Sequence, residues 1–368
     1  MQELDDRNGV FYDSNSKITL RHFGMVSNPK SIHGIYPYRG KMSSLDAAHV
    51  ISQLPSEATL LDPFCGTGTI VYEAQKHGMK AMGIDNNPLA CTIARGKTEQ
   101  VEIKSVLDNL AAAIANAKFQ NDVPRMPDSP AKYFHPDTAN QIMRVLQVSS
   151  SFSSYLRSAF YGAICVAARA CNGWLWTSTS IGRINEPLRK IDFYSTFQRK
   201  TMKHLEFVNN GSSAEIHTYD ARKIHDIIRE ESVDIIYTSP PYFDALDYTS
   251  YYSKIVLEIL DMDRATVREG LIQNYSTYKE DMTQALSAID KVIHDESLII
   301  FVVGDRRVRG KLVRGSDFFS EIAPWDYPYV VEREYTNTAS GLWDKINGTK
   351  RKEQIIVWDL AKGGRRSE

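Results

Sequence analysis

The chain has 368 residues, enough for one large α/β domain plus an insertion, and its net charge of −1 confines any nucleic-acid contact to local basic patches. Its four cysteines form no Cys-x-x-Cys pair and its nine histidines show no ligand spacing, which argues against disulfides and against a metal site. The longest apolar stretch, 159–168, is too short to span a bilayer, so we expect a cytoplasmic protein.

A strand, a glycine turn and a helix open the part of the chain with regular α/β order. Residues 58–61 predict the strand, residues 62–69 (Asp-Pro-Phe-Cys-Gly-Thr-Gly-Thr) the turn, and residues 70–77 the helix. Glycines let the backbone approach a ligand, and the helix start offers free N–H groups. No Gly-Lys-Ser/Thr follows, which excludes a P-loop. Asp85 ends the next strand, 23 positions after Asp62, where an acid accepts hydrogen bonds from ribose hydroxyls.

The α/β alternation then stops for more than a hundred residues, after a helix predicted from Pro88 to Thr98. Further helices are predicted at residues 106–117, 137–148, 154–170 and 196–208, and the third of these is apolar nearly all round, as in a buried helix. We therefore expect a mainly helical insertion at residues 100–213, between two halves of the α/β domain at residues 1–99 and 214–368. A lid, a scaffold and a target-recognition element are alternative roles for it.

Two further strands end in residues that carry chemistry. The third strand begins at residue 214 and ends at Asp220, which either contacts a ligand or caps the following helix. The strand at residues 233–237 leads into Thr-Ser-Pro-Pro-Tyr at 238–242. Two prolines fix an extended turn at the carboxyl end of the sheet, where ligands of open α/β sheets bind. The turn offers acceptors and an aromatic face, which suit a planar base with an exocyclic amine; a stiffened, packed loop is the alternative.

The rest of the chain predicts the other edge of the sheet and a basic segment. Residues 298–303 predict a fifth strand, and residues 329–336 and 354–360 an antiparallel edge pair. Beyond the fifth strand, nine residues carry five cations: Arg306, Arg307, Arg309, Lys311 and Arg314. Basic loops beside a cleft neutralise phosphates, so this is our candidate nucleic-acid contact, with a solvated loop as the alternative. Residues 172–183 mix tryptophans with polar residues, which would suit a stacking or groove contact with nucleic acid; we favour core tryptophans beneath the helical insertion as the explanation.

Three of these motifs resemble those of the S-adenosylmethionine-dependent amino-methyltransferases of DNA. Residues 62–69, 83–88 and 238–242 are similar to that family's motifs I, II and IV, and residues 35–42 resemble its motif X, which closes over the methionine part of the cofactor. The resemblance implies a class I, Rossmann-like α/β fold, with a mostly parallel seven-stranded sheet and an antiparallel edge strand. It also implies S-adenosyl-L-methionine as cofactor and DNA as substrate.

The resemblance assigns roles to single residues. Ser239 and the Pro240 carbonyl would receive the amino hydrogens of the target base, and Tyr242 would stack on that base. Asp85 would take the cofactor's ribose and Asp220 its adenine amino group. The full cofactor set is Tyr38, Met42, Asp62, Phe64, Gly66, Gly68, Asp85, Asn86 and Asp220.

The serine that opens motif IV usually accompanies cytosine N4 methylation, which we therefore expect. Adenine N6 methylation of DNA, base methylation of tRNA or rRNA, and an inactive DNA-binding homologue are the alternatives. A base inside a duplex cannot reach Ser239, so the DNA must be single-stranded or the base flipped out. A companion restriction endonuclease is a possible partner, and the sequence does not indicate the oligomeric state.

The motif order is X, I, II, insertion, III, IV, which most resembles the α group of this family. In that group, target recognition lies between the cofactor half and the catalytic half. Here the insertion enters before the third strand and has helical patterning, so the recognition segment stays unassigned.

Overall fold

The computed structural model describes residues 18, 30–38, 42–174, 183–209, 211–241, 247–250, 252–308, 311–335 and 351–366. Nine strands form within these residues: β1 (Thr59–Asp62), β2 (Lys80–Asp85), β3 (Ala214–Thr218), β4 (Val233–Thr238), β5 (Ile293–Gly304), β6 (Arg306–Val308), β7 (Lys311–Val313), β8 (Tyr329–Tyr335) and β9 (Arg351–Asp359). The α-helices in the same residues are α1 (Ser44–Ile51), α2 (Thr69–His77), α3 (Pro88–Thr98), α4 (Ile103–Lys118), α5 (Asp128–Ala131), α6 (Pro136–Val148), α7 (Ser154–Cys171), α8 (Phe193–Leu205), α9 (Tyr252–Ile259), α10 (Arg264–Gly270), α11 (Tyr278–Asp290), α12 (Gly315–Ile322) and α13 (Leu360–Gly363).

Seven of the strands form one sheet in the order β3-β2-β1-β4-β5-β9-β8, while β6 and β7 form a separate hairpin. The pairings from β3 to β5 are parallel, and β9 runs antiparallel to both β5 and β8. The predicted Rossmann-like sheet is confirmed, with its antiparallel strand one place in from the edge. Because β1 lies between β2 and β4, the carboxyl ends of β1 and β4 form a topological switch point, where open α/β sheets bind ligands.

Apolar side chains cover both faces of the sheet. In β1, Leu60 packs into a cluster with helices α1 and α2, while Leu61 packs into a cluster with α11 and α12 on the other face; both leucines are fully buried. Adjacent residues of a strand point to opposite faces, so two successive apolar residues bury a strand on both sides. This explains the nearly continuous apolar runs of the central strands.

Helices α4 to α8 occupy the place of the predicted insertion, between α3 and β3. Most of α7 is buried, as its apolar pattern predicted, and it packs against α3. Two glycines allow this close packing: a Cβ at Gly96 would lie 2.1 Å from the Ser158 hydroxyl, and one at Gly162 would lie 1.9 Å from the Ile35 carbonyl oxygen. The insertion is therefore tightly joined to α3 and to residues 32–36, and the division into three domains stays a prediction.

The four cysteines are buried free thiols. Among the described residues, every helix is too short or too polar to cross a bilayer.

Candidate active site

A cleft opens at the switch point of the sheet, with a volume of about 870 Å³ that includes its open mouth. Residues from five separate predicted motifs line it: Tyr38, Met42, Asp62, Phe64, Gly66, Asp85, Asn86, Asp220 and Ser239. The fold therefore brings most of the predicted site residues into one cavity.

Among the described residues, two of the predicted catalytic and cofactor residues, Gly68 and Pro240, are not on the cleft wall. Gly68 begins α2 with a φ of 69°, and a Cβ there would lie 2.8 Å from the Cβ of Ala94, so backbone conformation and packing on α3 require the glycine. Pro240 is buried next to Ser239 in the chain. Tyr242 lies outside the described residues.

Asp62 connects the two central strands of the sheet. Its Oδ1 accepts a hydrogen bond of 2.6 Å from the Thr238 hydroxyl and one of 3.2 Å from the backbone N–H of Phe64. Asp62 and Thr238 end β1 and β4, and both are buried. Burial raises the pKa of Asp62 to about 7, although these two hydrogen bonds act in the opposite direction.

Asp85 holds the glycine turn against the end of β2. One carboxylate oxygen accepts from the backbone N–H of Gly66 at 2.9 Å, and the other accepts from that of Asn87 at 2.8 Å. Burial raises the pKa of Asp85 to about 6, against the effect of these two donors. Asn87 in turn caps α3 and donates to the Tyr38 hydroxyl at 3.3 Å, so residues of motifs X, I and II are fixed as one unit.

Asp220 caps the 3₁₀ helix Ala221–Asp226, as one of the two predicted alternatives has it, and it also lines the cleft; its contact with a ligand stays a prediction. The Arg222 side chain donates to both of its carboxylate oxygens, at 2.6 to 3.0 Å. Burial alone would raise the pKa of Asp220, but the hydrogen bonds from Arg222 outweigh it and hold the pKa below its ordinary value. Asp220 is therefore an ionised acceptor at the cleft.

Sequence reasoning missed part of the wall. Gly270, Leu271 and Ile272, at and after the end of α10, line the cleft, and the Gly270 carbonyl accepts from the Asn86 side-chain amide at 2.6 Å. Tyr248 also lines it and stacks on Tyr38, with ring centroids 6.3 Å apart and planes at 17°. Tyr248 belongs to residues 243–252, whose aromatic pattern predicts either a wall of the base pocket or packing on the following helix, whereas residues 270–272 carry no motif.

The candidate nucleic-acid segments lie as follows. Residues 306–313 include the antiparallel hairpin β6–β7, directly after the carboxyl end of β5 and so on the cleft edge of the sheet. Arg309 lies outside the described residues, and Arg314, after the hairpin, pairs with Glu332. Trp174 is 52% exposed, with the Arg169 guanidinium 5.4 Å from its ring, so a core role is wrong for this tryptophan.

Comparison with known families decides the class of protein. A family model described as D12 class N6 adenine-specific DNA methyltransferase matches residues 46–300. The chain belongs to this family. The family together with the seven-stranded fold implies S-adenosyl-L-methionine as the methyl donor. Cytosine N4, the product expected from Ser239, is not the one in the family's description.

Two curated proteins are similar to parts of the chain. The Type II methyltransferase M.MjaII of Methanocaldococcus jannaschii is 25% identical over 144 residues, which are 36% of this chain and 27% of that protein. The Type II methyltransferase M.MvaI of Kocuria varians is 24% identical over 247 residues, 56% of this chain and 52% of that protein. The chain thus spans between about a quarter and about half of the length of these relatives.

Among solved structures, the rRNA methyltransferase aviRa of Streptomyces viridochromogenes aligns over 88% of both chains, with 12% identity and a TM-score of 0.34.

The raised pKa of Asp62 predicts a pH dependence of stability. The folded, ligand-free protein favours the protonated acid, so its free energy of unfolding falls as pH rises from the ordinary value of 3.8 toward about 7. Asp62→Asn keeps an acceptor for Thr238 but removes this titration, so we expect a shallower fall. Asp85, with its pKa of about 6, retains its own contribution.

Urea unfolding at several pH values across this interval measures the slope. Asp108→Asn, on an exposed position of α4, is the control and should leave the slope unchanged. Equal slopes in wild type and Asp62→Asn would contradict the assignment of the titration to Asp62.

Proposed function

We propose that the chain transfers a methyl group from S-adenosyl-L-methionine to the N6 amino group of adenine in DNA. The observation that carries the proposal is the single cleft that joins Asp62, Asp85 and Ser239, within a chain whose family is described as adenine-N6-specific. The cleft provides separate groups for a cofactor and for an acceptor base. Their functional roles, set out below, belong to this proposal.

The cofactor half of the cleft fits the groups that S-adenosyl-L-methionine presents. Asp85 accepts from the ribose hydroxyls, and the ionised Asp220 accepts from the adenine amino group. Asp62, beside the turn that contains Phe64 and Gly66, lies at the methionine end, where a cationic amino group favours the ionised acid. When bound, the cofactor supplies an electrophilic methyl group on its sulfonium.

The acceptor half is the turn after β4. Ser239 Oγ and the Pro240 carbonyl accept the hydrogens of the exocyclic amine and so direct its lone pair toward the cofactor. The next residue is held firmly, because the buried Tyr278 donates from its hydroxyl to the Pro241 carbonyl at 2.5 Å. Tyr242 stacks on the base. As the nitrogen–carbon bond forms, the methyl–sulfur bond would break to leave a neutral thioether, and the methylated nitrogen would lose its surplus proton to water. Positioning of the two reactants supplies most of the rate, without a strong base.

Cytosine N4 is the second candidate product, and one observation favours it. Ser239 occupies the first acceptor position of the turn and lines the cleft, and serine there is the mark by which the sequence resembled N4 enzymes. Both products require the same lone-pair geometry, so only the identity of the methylated nucleoside separates them.

The DNA partner must present its base outside the stack, by flipping or as a single strand. We propose that its backbone binds along the hairpin β6–β7, whose sequence carries Arg306, Arg307 and Lys311. Arg309, between the two strands in the sequence, is a further candidate. Because both curated relatives are Type II methyltransferases, we include a cytoplasmic restriction-modification system with a companion endonuclease in the proposal.

The product is tested by incubating the protein with labelled S-adenosyl-L-methionine and genomic DNA, RNA or no nucleic acid. The DNA is then digested and its nucleosides separated by mass. We expect N6-methyladenine in DNA; N4-methylcytosine would establish the second candidate, and label in RNA or nowhere would contradict the proposal.

Single substitutions should distinguish the acceptor half of the cleft from the cofactor half by their effects on catalysis and on cofactor binding. Ser239→Ala removes an acceptor for the base but no proposed cofactor ligand, so we expect cofactor affinity to stay within about twofold while kcat falls at least ~10²-fold. Asp85→Ala removes the ribose acceptor and two backbone contacts, so the cofactor Kd should rise first. Calorimetric titration and single-turnover rates measure both. Equal loss of cofactor binding in the two variants would argue against these roles.

Replacing Arg306, Arg307 and Lys311 together by glutamine should weaken DNA binding. The slope of log K for DNA against log salt concentration should become shallower by about 2 to 3, because each phosphate contact contributes about 0.9 to that slope. The matched control replaces three exposed cations at the amino ends of the strands, Lys80, Arg229 and Lys291, at the opposite edge of the sheet. Equal salt-dependence slopes in the two triple variants would contradict the assignment of the hairpin to the DNA interface.

A further inference from the structure

Helix α10 contacts both halves of the cleft, although it carries none of the recognised motifs. Its first residue, Arg264, binds the segment that follows the motif IV turn. Its last residue, Gly270, binds Asn86, which follows the acid at the end of β2. Six residue steps along a helix are about 9 Å, so one short rigid element connects the two contacts.

Arg264, at the start of α10, fixes the part of the cleft wall that contains Tyr248. The Arg264 guanidinium donates to the Asp247 carboxylate at 2.8 Å and to the Thr249 hydroxyl at 3.1 Å. Asp247 also accepts from the Thr249 backbone N–H at 2.9 Å and from the Thr249 hydroxyl at 2.6 Å, and Thr249 is fully buried. Tyr248 lies between these two residues and stacks on Tyr38 in the cleft wall. The position of Tyr248 therefore depends on Arg264.

Gly270, at the end of α10, fixes the part of the cleft wall next to Asn86. The Gly270 carbonyl accepts from the Asn86 side chain at 2.6 Å, and the next two residues, Leu271 and Ile272, line the cleft. A Cβ at Gly270 would lie 2.9 Å from the Asn86 side-chain nitrogen, so the two segments meet with no spare room. With the two ligands placed as in the proposed function, the cofactor would contact Asn86 and Leu271 at this end of α10, and the base would lie beside Tyr248, which Arg264 holds.

We propose that α10 couples cofactor binding to seating of the target base, and that Arg264 is the positioning residue of this coupling. The proposal rests on the proposed function, because it takes the two ligands from there. Contact of the cofactor with Asn86 and Leu271 restricts the helix, and through Arg264 the helix holds Tyr248 in the orientation that receives the base. Such coupling is reciprocal: cofactor tightens DNA binding by the factor by which DNA tightens cofactor binding.

The test measures DNA affinity with and without S-adenosylhomocysteine, a cofactor form that cannot donate a methyl group. We expect it to tighten DNA binding to wild type at least about fivefold, at the lower end of typical coupling factors. Arg264→Gln should lose this enhancement while its affinity for the cofactor alone changes less than about twofold, and Arg264→Lys, with fewer donors in a different geometry, should retain part of it.

Arg268→Gln is the matched control, because it removes the same charge from an exposed position of the same helix, and it should keep the full enhancement. An enhancement that persists in Arg264→Gln, or is absent from wild type, would overturn the proposal. So would loss of cofactor binding by Arg264→Gln, since that would assign the residue to folding.

A double-mutant cycle with Asn86→Ala tests whether the helix connects its two ends. Distant and independent residues have nearly additive effects, so fold losses of enhancement that simply multiply in the double variant would overturn the coupling. The outcome is distinguishable from failure of the proposed function. If wild type methylates neither DNA base, that function fails; if wild type is active and its cofactor enhancement does not depend on Arg264, only the coupling fails.

Discussion

The hydroxyl of Thr238 donates to the carboxylate of Asp62 over 2.6 Å, inside a part of the fold from which water is excluded. This bond joins the ends of β1 and β4, the two strands that meet where the strand order reverses. The glycine turn follows one strand and the Ser239 turn follows the other, so the β1–β4 ladder and this short contact at its end together fix the distance between the two turns. The rest of the site is built outward from this pair.

Burial gives the two acids of the cofactor half a shared property. The pKa of Asp62 rises to about 7 and that of Asp85 to about 6, because each carboxylate lies in the interior with hydrogen bonds that only partly replace water. Backbone donors fix Asp85, and Thr238 fixes Asp62, before any ligand arrives. The acids are thus preorganised but not fully satisfied, which favours a ligand that brings hydroxyl donors and positive charge.

The helical insertion supports the site from one side. It packs on α3, whose first turn is capped by Asn87, and it contacts residues 32–36, which lead to Tyr38 in the cleft wall. Close approach at Gly96 and Gly162 leaves no room for the insertion to slide as a loose lid. The packing favours a scaffold that holds the motif X segment in place, among the three roles that its patterning left open.

The sequence by itself predicted the main strands and helices and the candidate residues at the strand ends, because both signals are local. Apolar runs, glycines and caps predicted β1, α2 and β4, and the helix from Pro88 to Thr98 begins and ends where predicted. Asp62, Asp85 and Ser239 were found because a strand end followed by a turn has a recognisable pattern. Only the tertiary structure placed Tyr248 and residues 270–272 in the wall, moved Gly68 from cofactor contact to helix packing, and revealed the bonds Thr238–Asp62 and Arg264–Asp247. Those contacts join residues far apart in the chain or in loops without regular pattern, and such contacts follow from packing rather than from periodicity.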